Sequence, residues 1–300
     1  MRNILLIKTG AAGDIVRTTV LLNLPDIKIT WVLKDQYKDI LPGNHPQLFK
    51  IISLHDAEKI LHNDVFDLTL SLEENMECAQ LAGSIQSKKI IGVFSSGNQI
   101  VYSQEAAGWF DMSLLSSAGT GKADNLKFAN IYPFQYWLFK MLDVSFYGEQ
   151  YRIYRNEKIV RQKRLIGIEK RVGDQWPNKS WYGYDELSIK LKSKGFAIKI
   201  LGLRENIRDY FDDIAECGFI ISGDTLAMHV ALAYHIPCVA IFNCTSPAEI
   251  YDYGILKKVT SPLLRDVFYK TTFNYEAITA IGIDEVESAF ETLVLSQPIS

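Results

Sequence analysis

The sequence predicts an α/β protein made of two successive units, each a parallel sheet covered by helices. Three observations carry that prediction. Short runs of consecutive apolar residues alternate with segments of helical spacing, the rhythm of buried parallel strands and their crossover helices. That rhythm is broken by the polar, charged stretch from about Tyr147 to Lys163 and then restarts. A length of 300 residues, 48% hydrophobic and 22% charged, suits two ordinary globular domains. The domains are drawn at 1–155 and 156–300, with a ligand cleft expected between them and a C-terminal helix closing the chain.

In chain order, Asn3–Ile7 is a buried-strand run, and Gly13–Leu24 has helical spacing at Ile15, Thr18, Thr19 and Leu22. Lys28–Leu33, Phe49–Ser53, Asp67–Leu72 and Lys89–Phe94 read as strands, with helices near Gln36–Leu41, Ala57–His62 and Glu73–Ser87. Ser95–Lys122 is rich in Ser, Gly, Asn and Gln and reads as a long loop holding Trp109 and Phe110, followed by an aromatic helix near Phe128–Leu142. Beyond the connector come strand Leu165–Glu169, helix Asp185–Lys194, strand Ala197–Leu201 and helix Glu205–Ala215. Strand Phe219–Ser222, helix Thr225–Tyr234, strand Cys238–Phe242 and helix Ile283–Leu295 complete the series.

Charge argues against a nucleic-acid partner. The formal net charge is -3, and neither half has the basic excess that binding a phosphate backbone requires. Only four consecutive apolar residues precede Lys8, too short a core for a secretory signal, and no run approaches the roughly 18 residues of a membrane span. Cys78, Cys217, Cys238 and Cys244 form no CxxC pair and read as reduced, buried small hydrophobes. A cytoplasmic protein is expected.

Four strand-end segments hold the candidate chemistry. Lys8-Thr9-Gly10-Ala11-Ala12-Gly13-Asp14 combines small residues with a helix start, where backbone N–H groups lack partners. It is neither GxGxxG nor GxxxxGK[ST], and Asp14 reads either as the helix N-cap or as a ligand or catalytic carboxylate. Gln175-Trp176-Pro177-Asn178-Lys179-Ser180-Trp181 is a stiff aromatic loop whose Lys179 either points to solvent or meets a phosphate. Ser222-Gly223-Asp224-Thr225-Leu226-Ala227-Met228-His229 follows an apolar strand and opens a helix; His229 shares the face of Thr225 one turn on. Phe242-Asn243-Cys244-Thr245-Ser246-Pro247-Ala248-Glu249 supplies the hydroxyls of Thr245 and Ser246 at another helix start.

In this order the segments resemble the heptosyltransferase-like glycosyltransferases of family 9. ILLIKTGAAGDIVRTTVLL is similar to the family's opening, WPNKSW to its Trp-Pro-x-Lys-x-Trp signature, and SGDTLAMHVALAYHIPCVAIFNCTSPAEIYDYG to its donor-site block. The resemblance implies the GT-B fold, two tandem Rossmann-like domains facing a central cleft, with the acceptor on the N-terminal side and a nucleotide sugar on the C-terminal side. It implies an inverting transfer from a nucleoside-diphosphate sugar, ADP-heptose among the candidates, to a glycan or glycolipid hydroxyl. Asp14 would be the general base, with Gly13 and Trp109 on the acceptor side. Lys179, Glu205, Gly223, Asp224, Thr225, His229, Thr245 and Ser246 would line the donor site. No Asp-x-Asp motif is present, so no metal and no cofactor are expected, and a lipid-linked acceptor would bring the chain to the inner membrane face. Leu226 stands where many relatives have Gly, and Asp174 where relatives often carry hydroxyl residues. The alternative is a non-catalytic sugar-nucleotide-binding subunit that keeps the fold.

Overall fold

The computed structural model describes residues 1–112 and 119–296, which fall into two compact units divided between Tyr154 and Arg155. The first unit runs β1 (Arg2–Ile7), α1 (Ala12–Thr18), β2 (Ile27–Leu33), β3 (Leu48–Ser53), α2 (Ala57–Leu61), β4 (Val65–Phe66), β5 (Leu68–Ser71), α3 (Met76–Ser84) and β6 (Gln86–Ser87). It continues through β7 (Ile90–Ser96), β8 (Gln99–Tyr102), α4 (Ala107–Phe110), α5 (Thr120–Ala129) and α6 (Phe134–Met141). Its six-stranded sheet has the order β3-β2-β1-β5-β7-β8, parallel except for the antiparallel β7–β8 hairpin, while β4 and β6 pair separately. Leu5, Leu6 and Ile7 are fully buried, which is why β1 reads as an unbroken apolar run: helices cover both faces of a central parallel strand.

The second unit runs β9 (Gln162–Glu169), α7 (Tyr184–Ser193), β10 (Ala197–Ile200), α8 (Ile207–Ala215), β11 (Cys217–Gly223), α9 (Leu226–Ala233) and β12 (Cys238–Phe242). After it come β13 (Leu256–Thr260), α10 (Leu264–Val267), α11 (Tyr275–Thr279) and α12 (Ile283–Ser296). Its five strands are all parallel, in the order β10-β9-β11-β12-β13. Trp181, Phe219 and Phe290 anchor a core that joins α7 and α12 to this sheet.

Both sheets change direction of strand order beside their first strand. β1 lies between β2 and β5, and β9 lies between β10 and β11. The loops after the two neighbouring strands part at such a point and leave a crevice at the carboxyl edge, where open α/β sheets bind ligands. In the first unit those loops carry Lys8 to Asp14 after β1 and Glu73 after β5; in the second they carry Trp176 to Trp181 after β9 and Asp224 after β11.

Several expected elements differ. Gln36–Leu41 is a 3-10 turn (Asp35–Ile40), and the helix expected over Glu73–Ser87 starts only at Met76, after the side chain of Asn75 caps the amide of Cys78 at 2.9 Å. The aromatic helix is split into α5 and α6 around Pro133, whose ring cannot supply a helical N–H. The expected loop Ser95–Lys122 contains β8, a 3-10 turn and α4; its residues 113–118 lie outside the described residues. Gly92 within β7 has φ +108, and a Cβ there would sit 1.9 Å from the carbonyl oxygen of Ser71, so the β5–β7 contact requires glycine.

A charged clasp joins α7 to α12. Lys190 lies 2.5 Å from Asp284 and 2.8 Å from Glu287, and Lys194 reaches Glu287 at 2.6 Å and also Glu291. Hydrogen bonds from Lys190 and then Lys194 hold the Glu287 carboxyl below its ordinary value. A depressed carboxyl stabilises the fold above its unfolded pKa, and that contribution is lost as pH falls through the folded value. Glu287→Gln is therefore expected to lower the melting temperature by a few degrees or less at neutral pH, with the deficit closing as the solution is acidified below the ordinary glutamate range. Thermal unfolding of both proteins from neutral pH down to about pH 3 checks this; a deficit that widens in acid contradicts it.

Candidate functional site

In the first unit the site begins where β1 ends. Lys8 is buried, 6% exposed, and its ammonium lies 3.0 Å from Oε1 of Glu73 and 3.5 Å from Oδ2 of Asp14. The same Glu73 oxygen accepts the amides of Thr9 at 2.7 Å and Gly10 at 3.2 Å, clamping the loop between β1 and α1. Burial alone would lower the Lys8 pKa; Asp14 and then Glu73 outweigh it and raise it above the ordinary lysine value, so Lys8 is charged at neutral pH.

Asp14 is not the helix cap. Ala11 occupies that position without a side-chain bond, and Asp14 is the third residue of α1. There a carboxylate complements the positive end of the helix. Its Oδ1 accepts from Nη2 of Arg17 at 2.7 Å, and the side chain stays 35% exposed, open to a ligand. Arg17 in turn lies 3.9 Å from the ring centre of Phe134, and Phe134 meets Trp109 edge-on at 4.5 Å. Trp109 thus stands on the Arg17 side of the cluster, half-buried, and Gly13 is half-buried in the first turn of α1.

In the second unit the aromatic loop is nailed down by its own polar atoms. Nδ2 of Asn178 donates to the carbonyls of Lys270 (3.2 Å) and Thr272 (2.8 Å), its Oδ1 accepts from the amide of Asn274, and Nε1 of Trp181 donates to Ile281. Trp176 packs edge-on against Tyr269. The 3-10 turn Pro177–Lys179 then aims the Lys179 ammonium at Asp224, 2.9 Å from its carbonyl and 3.1 Å from Oδ2. The other carboxylate oxygen of Asp224 lies 3.7 Å from Nε2 of His229. Gly223 makes the approach of the two loops possible: a Cβ there would stand 3.1 Å from the carbonyl of Lys179.

Thr225 is the N-cap of α9 yet makes no side-chain cap bond, and its buried hydroxyl has no hydrogen-bond partner among the described residues. Thr245 and Ser246 are buried beside the end of β12, and the Thr245 hydroxyl and the side-chain Oδ1 of Asn243 are likewise unsatisfied among the described residues. Such orphans are expensive inside a protein and mark places where a ligand or ordered water supplies the missing bond. Cys244 belongs to the same neighbourhood: burial pushes its thiol up to about 12, with Lys179 opposing and Asp224 reinforcing the shift. The helix expected after Ser246 is only a three-residue 3-10 turn, Pro247–Glu249, and Ser246 forms no side-chain cap.

Lys179, Gly223, Asp224, Thr225 and His229 are therefore brought together. Glu205 is not: it is exposed in the loop before α8, and no hydrogen bond or ion pair among the described residues ties it to that group. Asp174 is exposed and Leu226 half-buried. Sequence reasoning missed Arg17 and Glu73 and left Lys8 without a role. It also missed the buried Glu169, which takes a bidentate bond from Arg171 (2.9 and 2.5 Å) and the hydroxyl of Tyr210 (2.7 Å) at the end of β9. Among the described residues no group of three or more His, Cys, Asp or Glu side chains is placed to hold a metal ion, and no helix is long and apolar enough to cross a membrane.

No model of a known protein family matches the chain, and no curated protein matches it in sequence. Solved structures do match over nearly its whole length. A glycosyl transferase family 9 protein from Veillonella parvula is 15% identical, covers 99% of this chain and 98% of its own, and superposes with a TM-score of 0.65. The E. coli ADP-heptose lps heptosyltransferase II is 15% identical over 98% of this chain and 99% of its own, TM-score 0.62. E. coli heptosyltransferase WaaC, solved with ADP, is 14% identical over 97% of this chain and 99% of its own, TM-score 0.61. The chain accordingly has the fold of the family 9 glycosyltransferases, heptosyltransferases among them.

Proposed function

We propose that this chain is a family 9-type glycosyltransferase that moves a sugar from a nucleoside-diphosphate sugar to a hydroxyl of a glycan or glycolipid acceptor. ADP-heptose is the first donor to try, since WaaC is known with ADP. The observation that carries this reading is the pair of charged clusters at the two sheet switch points. One is built on a part-exposed carboxylate, Asp14; the other sets an ammonium, Lys179, beside the start of α9 with its unsatisfied Thr225 hydroxyl. The presence of both favours an enzyme over a non-catalytic binding subunit.

The chemistry follows from those groups. Asp14 takes the proton of the acceptor hydroxyl as its oxygen attacks the anomeric carbon, and the bond to the diphosphate breaks on the opposite face, inverting that carbon. Negative charge grows on the leaving diphosphate. The Lys179 ammonium and the free amides opening α9 are fixed donors for it, so the step needs neither a metal nor a further cofactor. Thr225, Thr245 and Ser246 offer hydroxyls to the nucleotide sugar, His229 and Asp224 hold Lys179 in place, and a lipid-borne acceptor would bring the first unit to a membrane surface.

Calorimetric or thermal-shift titration with ADP, UDP, GDP, CMP and dTDP, followed by their sugar conjugates, tests the reading. Selective binding of one nucleotide is expected, and at 100 times its dissociation constant it should stabilise the fold by about 2.7 kcal/mol. A folded chain that binds none of them contradicts the proposal.

A further inference from the structure

The carboxylate proposed as base sits between two cations, and one of those cations is shared. Lys8 lies 3.0 Å from Glu73 and 3.5 Å from Asp14, so the buried ammonium is held closer to the residue that is not the base. One oxygen of Glu73 collects three donors, the Lys8 ammonium and the amides of Thr9 and Gly10, from the loop that leads into the helix of Asp14. Glu73 comes from the neighbouring strand's loop, 59 residues further along, and is free to do this because α3 begins only at Met76.

Resting on the proposed reaction, we infer that Glu73 is a positioning residue for Asp14. It fixes Lys8 and the loop that carries Asp14, and by drawing the ammonium towards itself it limits how strongly that charge suppresses the base. The other charged groups near α1 are common to every variant compared below. Arg17 shares Asp14 with the face of Phe134. On the 3-10 turn Asp35–Ile40 packed against α1, Lys38 pairs with Asp35, and Asp39 is exposed. On α6, Lys140 lies over the rings of Tyr136 and Trp137.

The signs of two substitutions then differ. Lys8→Met removes a cation from Asp14, so its carboxyl should titrate about one pH unit higher. Glu73→Gln removes the competing carboxylate, so Asp14 should titrate lower by several tenths of a unit to about one unit, and as a weaker base should lose about threefold in kcat with KM for the donor unchanged. Because Glu73 acts through Lys8, the double variant should titrate like Lys8→Met alone.

Carboxyl 13C NMR of the full chain, with Asp14→Asn to assign the signal, reads the titrations without turnover; the acid limb of the pH–rate profile should move in the same directions. An Asp14 midpoint unmoved by Glu73→Gln in folded protein overturns the inference, as does a Glu73→Gln shift that persists undiminished in the Lys8→Met background. If Glu73→Gln does not fold, Glu73→Asp keeps the charge but withdraws it by one methylene, and should move the midpoint in the same direction by less; no movement overturns the inference. Titrations that behave as expected in a chain that transfers no sugar leave the role of Glu73 standing and refute the proposed reaction.

Discussion

Asp14→Asn is expected to lower the transfer rate by about 10²- to 10⁴-fold, the range typical of a lost general base, while nucleotide binding stays within a few-fold of the parent. Asparagine keeps the shape of the side chain and its place in the first turn of α1, but it has no basic carboxylate to receive the acceptor proton. The fold should tolerate the change. Asp14 is 35% exposed, Lys8 keeps Glu73 and Arg17 keeps the ring of Phe134, so no buried cation is stranded. Nucleotide affinity should hold because Lys179, Asp224 and the start of α9 are untouched. Initial rates with the preferred donor, calorimetry with its nucleotide and a melting curve separate the three quantities. Turnover within threefold of the parent would remove Asp14 as the base and make Glu73, the other carboxylate on Lys8, the next residue to test.

The parts of this protein that the sequence discloses are those in which one physical requirement dominates. Central parallel strands must be apolar on both faces, so ILLI in β1, WVL in β2, LIGI in β9, FII in β11 and CVAIF in β12 stand out as apolar runs. β13 does not, because LKKVT lies at the edge of its sheet and can expose Lys258, whose ammonium caps the carbonyls of Pro247 and Ile250. Lys179, Asp224 and His229 are legible because each lies in a short segment with its own punctuation of Gly, Pro and Trp. Their mutual contacts are not: Lys179 and Asp224 are 45 residues apart and meet only because β9 and β11 are neighbours. Glu73 was hidden for a local reason as well. It looks like the first residue of a helix until Asn75 is seen to cap that helix two residues later. Glu205, placed by resemblance of position alone, lies exposed in the loop before α8, where no short-range pattern in the sequence ties it to the other residues.

Asp224→Ala should weaken nucleotide binding by one to two orders of magnitude, and Asp224→Asn should recover only part of that loss. The Lys179 side chain is only 19% exposed, and its ammonium is fixed by two oxygens of one residue, the carbonyl and Oδ2 of Asp224. Removing the carboxylate leaves the carbonyl alone, and a long lysine side chain then regains rotamers that it must give up again to meet a diphosphate. His229, 3.7 Å from the other oxygen, loses its neighbour at the same time. Two effects oppose each other, because deleting a negative charge beside a phosphate site also removes repulsion. Fixation should win, since a freed ammonium in water interacts weakly with phosphate whereas a fixed, part-buried one is already desolvated and aimed. Asparagine retains the oxygen but not its charge, so the Asn and Ala variants divide geometry from electrostatics. Calorimetry of the nucleoside diphosphate against both proteins, with melting curves to confirm folding, gives the answer. Tighter binding by Asp224→Asn would mean that repulsion outweighs fixation and that Asp224 restrains the donor site rather than building it.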